Sequence, residues 1–478
     1  MIVSGTSWTP DISNAGKSKY KAIAEAIREG IVSTQLKPGE KLPPVRDLAF
    51  RIGVTPGTVA RAYAVLTDEG RLSAGVGRGT FVTEARTSAS PTYPPSSPWV
   101  PAMLDPVLDA PEKSHLLSPK MPDVGQGDII RRGMTALAQE MAPNELLRYP
   151  TRVTDLAARL AFAKSLGDTP IGNFEVENVV TANGGQSAIV MILQTILKGA
   201  QPVIAVDTLS YGGFRSAALL CRAQVVGVPW DDEGPEPAAL EHLIKTQGVQ
   251  VFCTSAEVCN PTVRATSVQR RHEIAAVAQR YGVHVLDDDC YRLLGTEHHG
   301  PSYRALLPEL GWYVTSPSKS ITSALRIGFA VAPDGWTVAL VRTSTFQSFG
   351  ITRIITDLYA FIMAQPDLDA VMGRIRERIA RDVRAAVNLL GRYNLSWSEA
   401  VPFIWLDLPV GWRAGEFCQA AETANILIKP ADDFALRESR STHAVRIAIN
   451  GQVSHEHFVY AMDKLLVLLD TPPERISV

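Results

Sequence analysis

The chain has 478 residues, of which 46% are hydrophobic and 20% are charged, a globular composition that excludes wholesale disorder. At roughly 150 residues per domain, this length predicts about three folding units, or one small domain joined to a large one. The net charge of −2 conceals an asymmetry, because residues 1–82 hold 11 Lys and Arg against 7 Asp and Glu, whereas the remainder is acidic.

Targeting and redox signals are weak. No stretch of about 18 uncharged apolar residues occurs, and no basic segment leads into an apolar core at the N-terminus, so we expect no membrane span, no secretory signal and a cytoplasmic protein. The cysteines form no CxxC pair and no cluster with metal-ligand spacing, so we expect reduced thiols and no metal site. The five cysteines are Cys221, Cys253, Cys259, Cys290 and Cys418.

The basic head has the pattern of three short helices followed by a hairpin. Apolar residues recur at helical spacing between residues 20 and 32, and a second helix is predicted from Pro43 and Pro44, since proline is tolerated in a first turn. Thr55 is a good N-cap for a third helix, which Gly70 would end. The segment RLSAGVGRGTFV then has two β-prone ends around a glycine-rich tip, which predicts a hairpin wing.

This order of elements is typical of winged helix-turn-helix proteins, in which the N-terminal part of one helix enters the major groove of DNA. The segment LKPGEKLPPVRDLAFRIGVTPGTVARAYAVLTDEGRLSAGVGRGTFV resembles the head of the GntR family of bacterial regulators over about residues 18–82. The resemblance implies binding to double-stranded operator DNA. Pro56 stands where many family members have a DNA-contacting Arg, so we expect Arg61 to take over part of that contact with DNA. The expected DNA-binding residues are Arg46, Thr55, Thr58, Arg61, Gly77, Arg78 and Gly79. A protein-interaction module is the alternative.

Residues 84–115 are dense in Pro, Ser and Thr and have no sustained period. We predict a linker there, between a DNA-binding domain at 1–83 and a body at 116–478. At about 3.1 Å per residue, an extended Pro-rich chain of this length spans up to roughly 90 Å, far enough for the head to sit on another protomer.

In the body, apolar strands lead into polar or aromatic residues. Val179 and Val180 precede the turn of TANGGQSAIVMIL, which predicts a phosphate-binding turn at a helix start. PVIAVDTLSY ends in Tyr211, an aromatic face on which a ring can stack. VQVFCTSAEVCNPT contains Asn260, a potential donor to a ring oxygen.

VHVLDDDCY ends in three acidic residues, of which Asp288 could hold a pyridine nitrogen protonated, while Tyr291 supplies a phenol three positions later. A Mg²⁺ site or a polar strand end is the alternative for this triplet. SPSKSITSALRIG places Lys319 and Arg326 in one loop, although a lone Lys is more often a surface residue. HAVRIAIN places Arg446 in a β-like run, where it needs either a ligand carboxylate or a structural salt bridge.

The order of these segments resembles a fold-type I aminotransferase over about residues 116–470. The resemblance implies the cofactor pyridoxal 5′-phosphate, with Lys319 as the Schiff-base lysine, Asp288 at the pyridine nitrogen, and Tyr291 and Asn260 at the ring oxygen. It also implies Tyr211 as the stacking aromatic and Arg446 as the substrate-carboxylate arginine. The implied phosphate-binding residues are Gly185, Gln186, Ser316, Ser318, Arg326 and, from the neighbouring subunit, Tyr149.

The two resemblances together identify the MocR/GabR subfamily of transcription regulators. The expected fold is α/β, with a winged helix-turn-helix head, a large aminotransferase-like part with a mostly parallel sheet at about 151–345, and a smaller α+β part at about 116–150 and 346–478. Two departures touch active-site loops: NPTV at 260–263 replaces the usual NPTG, and Arg152 and Val153 stand where a glycine is expected after Tyr149.

The resulting hypothesis is a homodimeric sensor with heads packed on opposite protomers, in which an amino acid or amine effector displaces Lys319 from the cofactor and thereby repositions the heads on DNA. An aminotransferase with an autoregulatory head is the competing hypothesis, and a dual regulator and enzyme is the third. A residual aminotransferase half-reaction is compatible with the sensor.

Overall fold

The structure is a computed structural model, which describes residues 8–10, 19–69, 71–75, 79–83, 113–436 and 442–472. The chain divides into two compact units, Met1–Pro101 and Ala102–Val478. No helix in the described ranges is long and apolar enough to cross a membrane.

The head contains three helices and a two-stranded antiparallel hairpin, as predicted. The elements are α1 (Lys19–Val32), α2 (Val45–Arg51), α3 (Pro56–Asp68), β1 (Leu72–Gly75) and β2 (Gly79–Val82). Ile23, Ile27, Leu48, Val59 and Leu66 are among the apolar side chains that pack together in its core. The helical spacing of the sequence therefore places one apolar stripe of each helix inward.

The body is built from thirteen strands in its described residues. They are β3 (Ser114–His115), β4 (Val179–Ala182), β5 (Val203–Asp207), β6 (Gln224–Val228), β7 (Val249–Thr254), β8 (His284–Asp288), β9 (Gly311–Thr315), β10 (Gly328–Val331), β11 (Leu395–Ser396), β12 (Phe403–Asp407), β13 (Ile426–Leu427), β14 (Lys429–Pro430) and β15 (Ala444–Ala448).

Helices connect and cover these strands. They are α4 (Gln126–Glu140), α5 (Leu156–Leu166), α6 (Gly185–Ile196), α7 (Gly212–Leu220), α8 (Pro237–Gln247), α9 (Val268–Tyr281), α10 (Tyr303–Leu306), α11 (Thr337–Ser348), α12 (Arg353–Met363), α13 (Leu368–Leu390), α14 (Ala414–Thr423) and α15 (His455–Asp470).

The large sheet has seven strands in the order β4-β10-β9-β8-β7-β5-β6, and only β10 runs antiparallel to its neighbours. Most of its strands are short apolar runs buried on both faces, as expected of a parallel sheet covered by helices. The predicted α/β class with a mostly parallel sheet is confirmed.

A smaller antiparallel sheet follows in the chain, with the strand order β11-β12-β15-β14, and β13 pairs with β3 separately. Its central strand β15 is buried along its whole length and carries Arg446. One face of this sheet joins the largest apolar cluster of the body through Ile404, Val445 and Ile447. Because side chains alternate along a strand, Arg446 points to the opposite face.

Candidate functional site

Most of the predicted site residues lie just beyond the carboxyl ends of the parallel strands. In an open parallel sheet these ends meet at one edge, where the connecting loops form a crevice. The residues that lie at or after the ends of β4, β5, β7, β8 and β9 are Gly185, Gln186, Tyr211, Asn260, Asp288, Tyr291, Ser316, Ser318 and Lys319.

Lys319 closes a 3-10 turn, Pro317–Lys319, directly after β9. Its Nζ donates a hydrogen bond to the Pro119 carbonyl at 3.0 Å. Burial lowers the pKa of Lys319 to about 8; the Cys290 thiol opposes this shift, and the positive charge of Arg446 adds to it. An amine with this pKa is partly neutral near pH 8, which is the form that attacks a carbonyl carbon.

The three aspartates after the apolar part of β8 have different surroundings. Asp287 accepts hydrogen bonds from the N–H groups of Ala256 and Tyr303, at 3.1 and 3.3 Å, and Asp289 accepts one from the Tyr313 hydroxyl at 2.8 Å. The Asp288 carboxyl accepts no hydrogen bond from the residues described, and its Oδ1 is buried; Asp289 Oδ1 is also buried without a partner, but Asp289 Oδ2 accepts from Tyr313.

Burial, reinforced by the charges of Asp289 and Asp287, raises the pKa of the Asp288 carboxyl to about 8. A cationic group beside it would restore the ionised form, because an opposite charge compensates for lost hydration. The charge of Asp288 also raises the pKa of the Tyr211 hydroxyl. Asp288 is therefore the carboxyl of the triplet that is open to a ligand. No group of three or more His, Cys, Asp or Glu in the described ranges is arranged to hold a metal ion.

The glycine-rich turn before α6 approaches Arg326 closely. Gly184 has a φ of +84°, and a Cβ built on it would lie 2.5 Å from Arg326 Nη2. A Cβ on Gly185 would lie 3.7 Å from Ser316 Oγ. Arg326 Nη2 also donates to the Asn183 carbonyl at 3.3 Å. The N-terminus of a twelve-residue helix, a hydroxyl and a guanidinium thus converge, which is the chemistry of a phosphate site.

Tyr211 is the N-cap of α7, and its ring meets Phe214 edge-on with centroids 5.9 Å apart. Burial, followed by the charge of Asp288, raises the pKa of the Tyr211 hydroxyl. Gln186 Nε2 donates to the Gly213 carbonyl at 2.8 Å, whereas its Oε1 is buried without a partner. The Gln186 side chain therefore positions the start of α7 beneath Tyr211.

Arg446 is 4% exposed and lies among aromatic rings rather than acids. Its Nη1 donates to Asn260 Oδ1 at 2.7 Å and its Nη2 to the Leu117 carbonyl at 2.6 Å. Its Nε has no partner, and no carboxylate of the described residues lies within 4.0 Å of the guanidinium. The structural salt bridge that the sequence left open is thus not formed in these ranges. Burial lowers the pKa of Arg446 to about 10, and the nearby Tyr291 hydroxyl opposes this shift.

Tyr291 and the NPTV segment share a small apolar cluster with Val258 and Phe403. The Tyr291 and Phe403 ring centroids are 5.5 Å apart, and burial raises the pKa of the Tyr291 hydroxyl. Val263 has a φ of +66°, a left-handed conformation that is strained for a β-branched residue. The backbone thus keeps the conformation suited to glycine even though this chain has Val there.

Tyr149 lies apart from the other predicted cofactor residues of its own chain. It is 75% exposed, and its ring packs on Phe349 with centroids 5.3 Å apart. Leu147 and Val153, on either side of it, are 87% and 81% exposed. Ser318 is partly buried within the turn that carries Lys319.

In the head, the predicted DNA-binding residues that the structure describes lie in or beside α2, α3 and β2. Arg46 is exposed in the first turn of α2, and the Thr55 and Thr58 hydroxyls at the start of α3 are 2.9 Å apart. Arg61 Cζ lies 4.3 Å from the Tyr20 ring centroid. Gly79 begins β2 with a φ of +104°. Gly77 and Arg78 lie outside the described residues.

Several residues at this site were not singled out from the sequence. The Pro119 and Leu117 carbonyls bond Lys319 and Arg446 from a segment about 200 and 330 positions away. The Cys290 thiol affects the pKa of Lys319, and the Phe434 ring centroid lies 4.7 Å from Arg446 Cζ. The only sequence signal was position: Cys290 lies between the predicted Asp288 and Tyr291.

Comparisons with known proteins agree with this geometry. Residues 117–465 match the family Aminotransferase class I and II, and residues 19–82 match the bacterial regulatory proteins of the gntR family. The chain belongs to the aminotransferase class I and II family. It joins an aminotransferase body to a gntR-type DNA-binding head, and this fusion supports a transcription regulator. Membership confirms the predicted cofactor, pyridoxal 5′-phosphate, at the level of the family.

Two similar proteins are HTH-type transcriptional regulators by name. The chain is 26% identical over 468 residues to the HTH-type transcriptional regulator YdeF of Bacillus subtilis, covering 97% of each chain. It is 24% identical over 314 residues to the HTH-type pyridoxine biosynthesis transcriptional regulator PdxR of Corynebacterium glutamicum, covering 65% of each. The kynurenine aminotransferase of Pyrococcus horikoshii has the same fold, with a TM-score of 0.67 and 20% identity over 79% of this chain and 95% of that one.

The residues present fit pyridoxal 5′-phosphate. Buried polar atoms without a partner among the described residues occur at Asp288 Oδ1 and Arg446 Nε, and the charge of Arg446 acts on the Lys319 amine. A Cβ at Gly184 would lie 2.5 Å from Arg326 Nη2, so only glycine lets the start of α6 approach this guanidinium so closely. A buried amine, an acid open to a cation and a phosphate cradle are what this cofactor needs.

Proposed function

We propose that this protein is a DNA-binding transcription regulator that senses an amino acid or a related amine through pyridoxal 5′-phosphate held covalently at Lys319. One observation carries the proposal: the partly buried Lys319, whose Nζ bonds the Pro119 carbonyl, is acted on by the positive charge of the buried Arg446, and no carboxylate of the described residues lies within 4.0 Å of Arg446. An amine site beside a carboxylate site is what recognition of an amino acid requires.

Each predicted residue has a role toward the cofactor under this proposal. Bound cofactor supplies an aldehyde that reacts with primary amines and a pyridine ring that withdraws electrons. Asp288 would hold the proton at the ring nitrogen, and Tyr211 would stack on the ring. Tyr291 and the Asn260 amide, whose oxygen already accepts from Arg446, would donate to the ring oxygen. The residues that bind the phosphate are Gly185, Gln186, Ser316, Ser318 and Arg326.

Sensing follows from competition for one aldehyde. With the cofactor bound, an incoming amino group would take the place of the Lys319 amine and leave the lysine side chain free, while the carboxylate of the amino acid would give Arg446 the acidic partner that it lacks. Both changes act on groups that join separate segments of the body, since Arg446 bonds residues 117 and 260 and Lys319 bonds residue 119. A ligand with different affinities for two arrangements of these segments shifts the population between them.

We also propose a homodimer in which Tyr149 reaches the phosphate of the neighbouring subunit. The exposed apolar side chains around Tyr149 support it, because contiguous apolar surface marks contact sites. Phe346 and Phe349 are 81% and 63% exposed beside the residues already named.

The enzyme alternative draws support from the same site, since Lys319, Asp288 and Tyr291 together form a complete set for proton transfer. An aminotransferase must complete two half-reactions, whereas a sensor can stop once the effector is bound. We therefore expect steady-state transamination well below the median enzyme rate of about 10 per second. Rapid turnover of an amino acid and keto acid pair, with no effect on DNA binding, would instead indicate an enzyme with an autoregulatory head.

The test is a paired titration of the cofactor-loaded protein. Amino acids and amines are added while the visible absorption spectrum is recorded, and the affinity for an operator selected from random-sequence duplexes is measured in parallel. We expect one class of amino acid to shift both the absorption spectrum and the affinity for the operator. Operator DNA should change the affinity for that amino acid by the same factor as the amino acid changes the affinity for the operator.

Arg446→Gln sharpens the test. It should keep the cofactor spectrum but weaken amino acid binding about a hundredfold, whereas simple amines without a carboxylate should bind unchanged. Arg280→Gln, on the surface of α9, is the matched control. If no amine or amino acid shifts either readout, the sensor proposal fails.

A further inference from the structure

A second cation lies directly beside Arg446. Lys429 of β14 is paired with Arg446 of β15 in the antiparallel register, as Trp405 of β12 is on the other side. Directly opposite residues place their side chains on the same face of a sheet, about 5 Å apart. Lys429 therefore shares the face that presents Arg446 to the cofactor site.

Both cations lie near the ring of Phe434. Its ring centroid is 4.7 Å from Arg446 Cζ and 6.0 Å from Lys429 Nζ. Burial lowers the pKa of Lys429, the charge of Asp433 opposes this shift, and Arg446 and Arg215 add to it. The three cations are thus close enough to repel one another.

The segment around Phe434 connects this sheet to the loop before Tyr211. Ser210 N–H donates to the Phe434 carbonyl at 3.1 Å, and Arg215 donates to the carbonyls of Asp433 and Ala435. An anion bound between Lys429 and Arg446 would therefore contact a segment that is fixed to the cofactor-covering loop.

The acid of this segment is more exposed than the cation that it faces. Asp433 is the acidic partner of Lys429, at 3.5 Å, and its side chain is 46% exposed, while that of Lys429 is 21% exposed. The guanidinium Nε atoms of Arg446 and Arg215 are buried and have no partner among the residues that the structure describes. Buried donors are nearly always satisfied, so these positions lack an acceptor.

We propose that the effector is an amino acid with a second acidic group, and that Lys429 is the residue that selects it. This inference rests on the proposed sensing function. The α-carboxylate pairs with Arg446 and the side-chain carboxylate with Lys429, which exchanges its exposed partner Asp433 for the ligand. The candidates are dicarboxylic α-amino acids. Aspartate, glutamate and 2-aminoadipate differ in the distance between their two carboxylates.

The test compares these acids with their uncharged isosteres, asparagine and glutamine, by absorption titration of the cofactor-loaded full-length protein. The acids should bind at least about tenfold more tightly, which is the usual effect of one charge-assisted hydrogen bond. Lys429→Met should remove that preference while leaving the affinity for alanine and the cofactor spectrum unchanged. Lys245→Met, which breaks an exposed i,i+4 ion pair with Glu241 on α8, should change nothing.

Asp433→Asn separates selection from a structural role. If Lys429 selects the ligand, freeing it from Asp433 should preserve or increase the preference for the acid. If Lys429 only stabilises the segment through Asp433, both variants should weaken all ligands equally, which would overturn the inference. Equal loss of glutamate and glutamine in Lys429→Met alone would overturn it too, because Lys429 would then share the α-carboxylate.

These outcomes leave the sensor itself testable. If alanine shifts the spectrum and the DNA affinity but no acid is preferred, only the second acidic group is refuted. If no amino acid shifts either readout, the sensing function fails with it.

Discussion

The head and the body place their functional residues in opposite environments. Arg46, Thr55 and Arg61 are exposed within 16 positions of one another, whereas Asp288 and Arg446 are 6% and 4% exposed and 158 positions apart. A DNA backbone is a large polyanion that an exposed cation can reach. A small amino acid is held only where water is excluded and charges act strongly.

The two cores differ in the same way. The head core is a single apolar cluster of helix and hairpin residues. The body buries ionisable groups at the carboxyl edge of its sheet, and burial is the first cause that raises the pKa of Asp207 and Asp289 to about 7 and of Asp287 to about 6. Stability and function are therefore separable in the head but coupled in the body.

The largest expected effect is the independent loss of each function: a substitution in one unit should abolish the function of that unit and leave the function of the other intact. Ala62→Asp places a charge in the fully buried core of the head, so it should abolish DNA binding while the absorption band of the bound cofactor persists. Lys319→Ala should abolish the band while effector-free DNA binding stays within about twofold of wild type, given the separate cores. Visible absorption measures the cofactor band, and fluorescence anisotropy measures DNA binding. Loss of both properties in either variant would show that the units depend on each other.

Within the head, Arg46→Ala should weaken operator binding by about 1–3 kcal/mol if Arg46 reads a base, and should instead reduce the salt slope by about one if it contacts phosphate. Arg61→Ala should cost a similar amount. Tyr20→Leu removes the ring beside Arg61 but keeps the charge, so it should cost less, about 0.5–1 kcal/mol. Anisotropy at several salt concentrations distinguishes these cases, and a Tyr20→Leu loss as large as that of Arg61→Ala would point to a folding role for the ring.

In the body, the stability of the cofactor-free protein should depend on pH. The pKa of Asp288 is about 8 when folded, against an ordinary value near 3.9, so the folded state keeps a proton that the unfolded chain loses above about pH 4. The free energy of unfolding should therefore fall as pH rises to about 8. The lowered pKa of Lys319 acts oppositely, adding stability between about pH 8 and 10.5.

Urea unfolding at pH 5 to 8 measures this slope. Asp288→Asn should make the slope shallower by the share of one carboxyl, and so should cofactor binding, because a cation beside Asp288 restores its ionised form. The raised pKa values of Asp207, Asp287 and Asp289 account for the slope that remains. Asp232→Asn, at a fully exposed carboxyl, is the control. An unchanged slope in Asp288→Asn would contradict the role of its burial.

The smallest effect is expected at the NPTV segment. Val263→Gly relieves a left-handed backbone but loses packing against the Tyr291 cluster, so the free energy of unfolding should change by no more than about 1 kcal/mol. Val258→Ala, in the same cluster without this strain, should cost about 1.5–2 kcal/mol. Chemical denaturation of the pair measures both, and a loss at Val263 as large as that at Val258 would mean that the strain is negligible.

Much of the fold was predictable because its signals are local. The strands predicted at PVIAV, VQVFCT and VHVLD are β5, β7 and β8 within one or two residues, since short apolar runs between helical segments have few other solutions. The motif of the head is contiguous, so its elements followed from the sequence almost entirely.

The site was predictable as a set of residues but not as an arrangement. The sequence indicated an acidic triplet, a lysine loop and a buried arginine, because strand ends of a parallel sheet meet at one edge. It did not indicate which aspartate is open, nor that Tyr149 packs on Phe349 away from the other cofactor residues of its chain. Those facts depend on which backbone N–H groups and rings approach from distant segments.

The sequence by itself determined the two-part architecture, the family and the candidate residues, because periodicity, caps and motifs act over a few neighbouring positions. Only the tertiary structure decided that Asp288 lacks a hydrogen-bond partner, that Arg446 meets Asn260 from 186 positions away, and that Lys429 stands beside it. Such relations are set by strand register, and a shift of one residue turns every side chain of a strand to the other face.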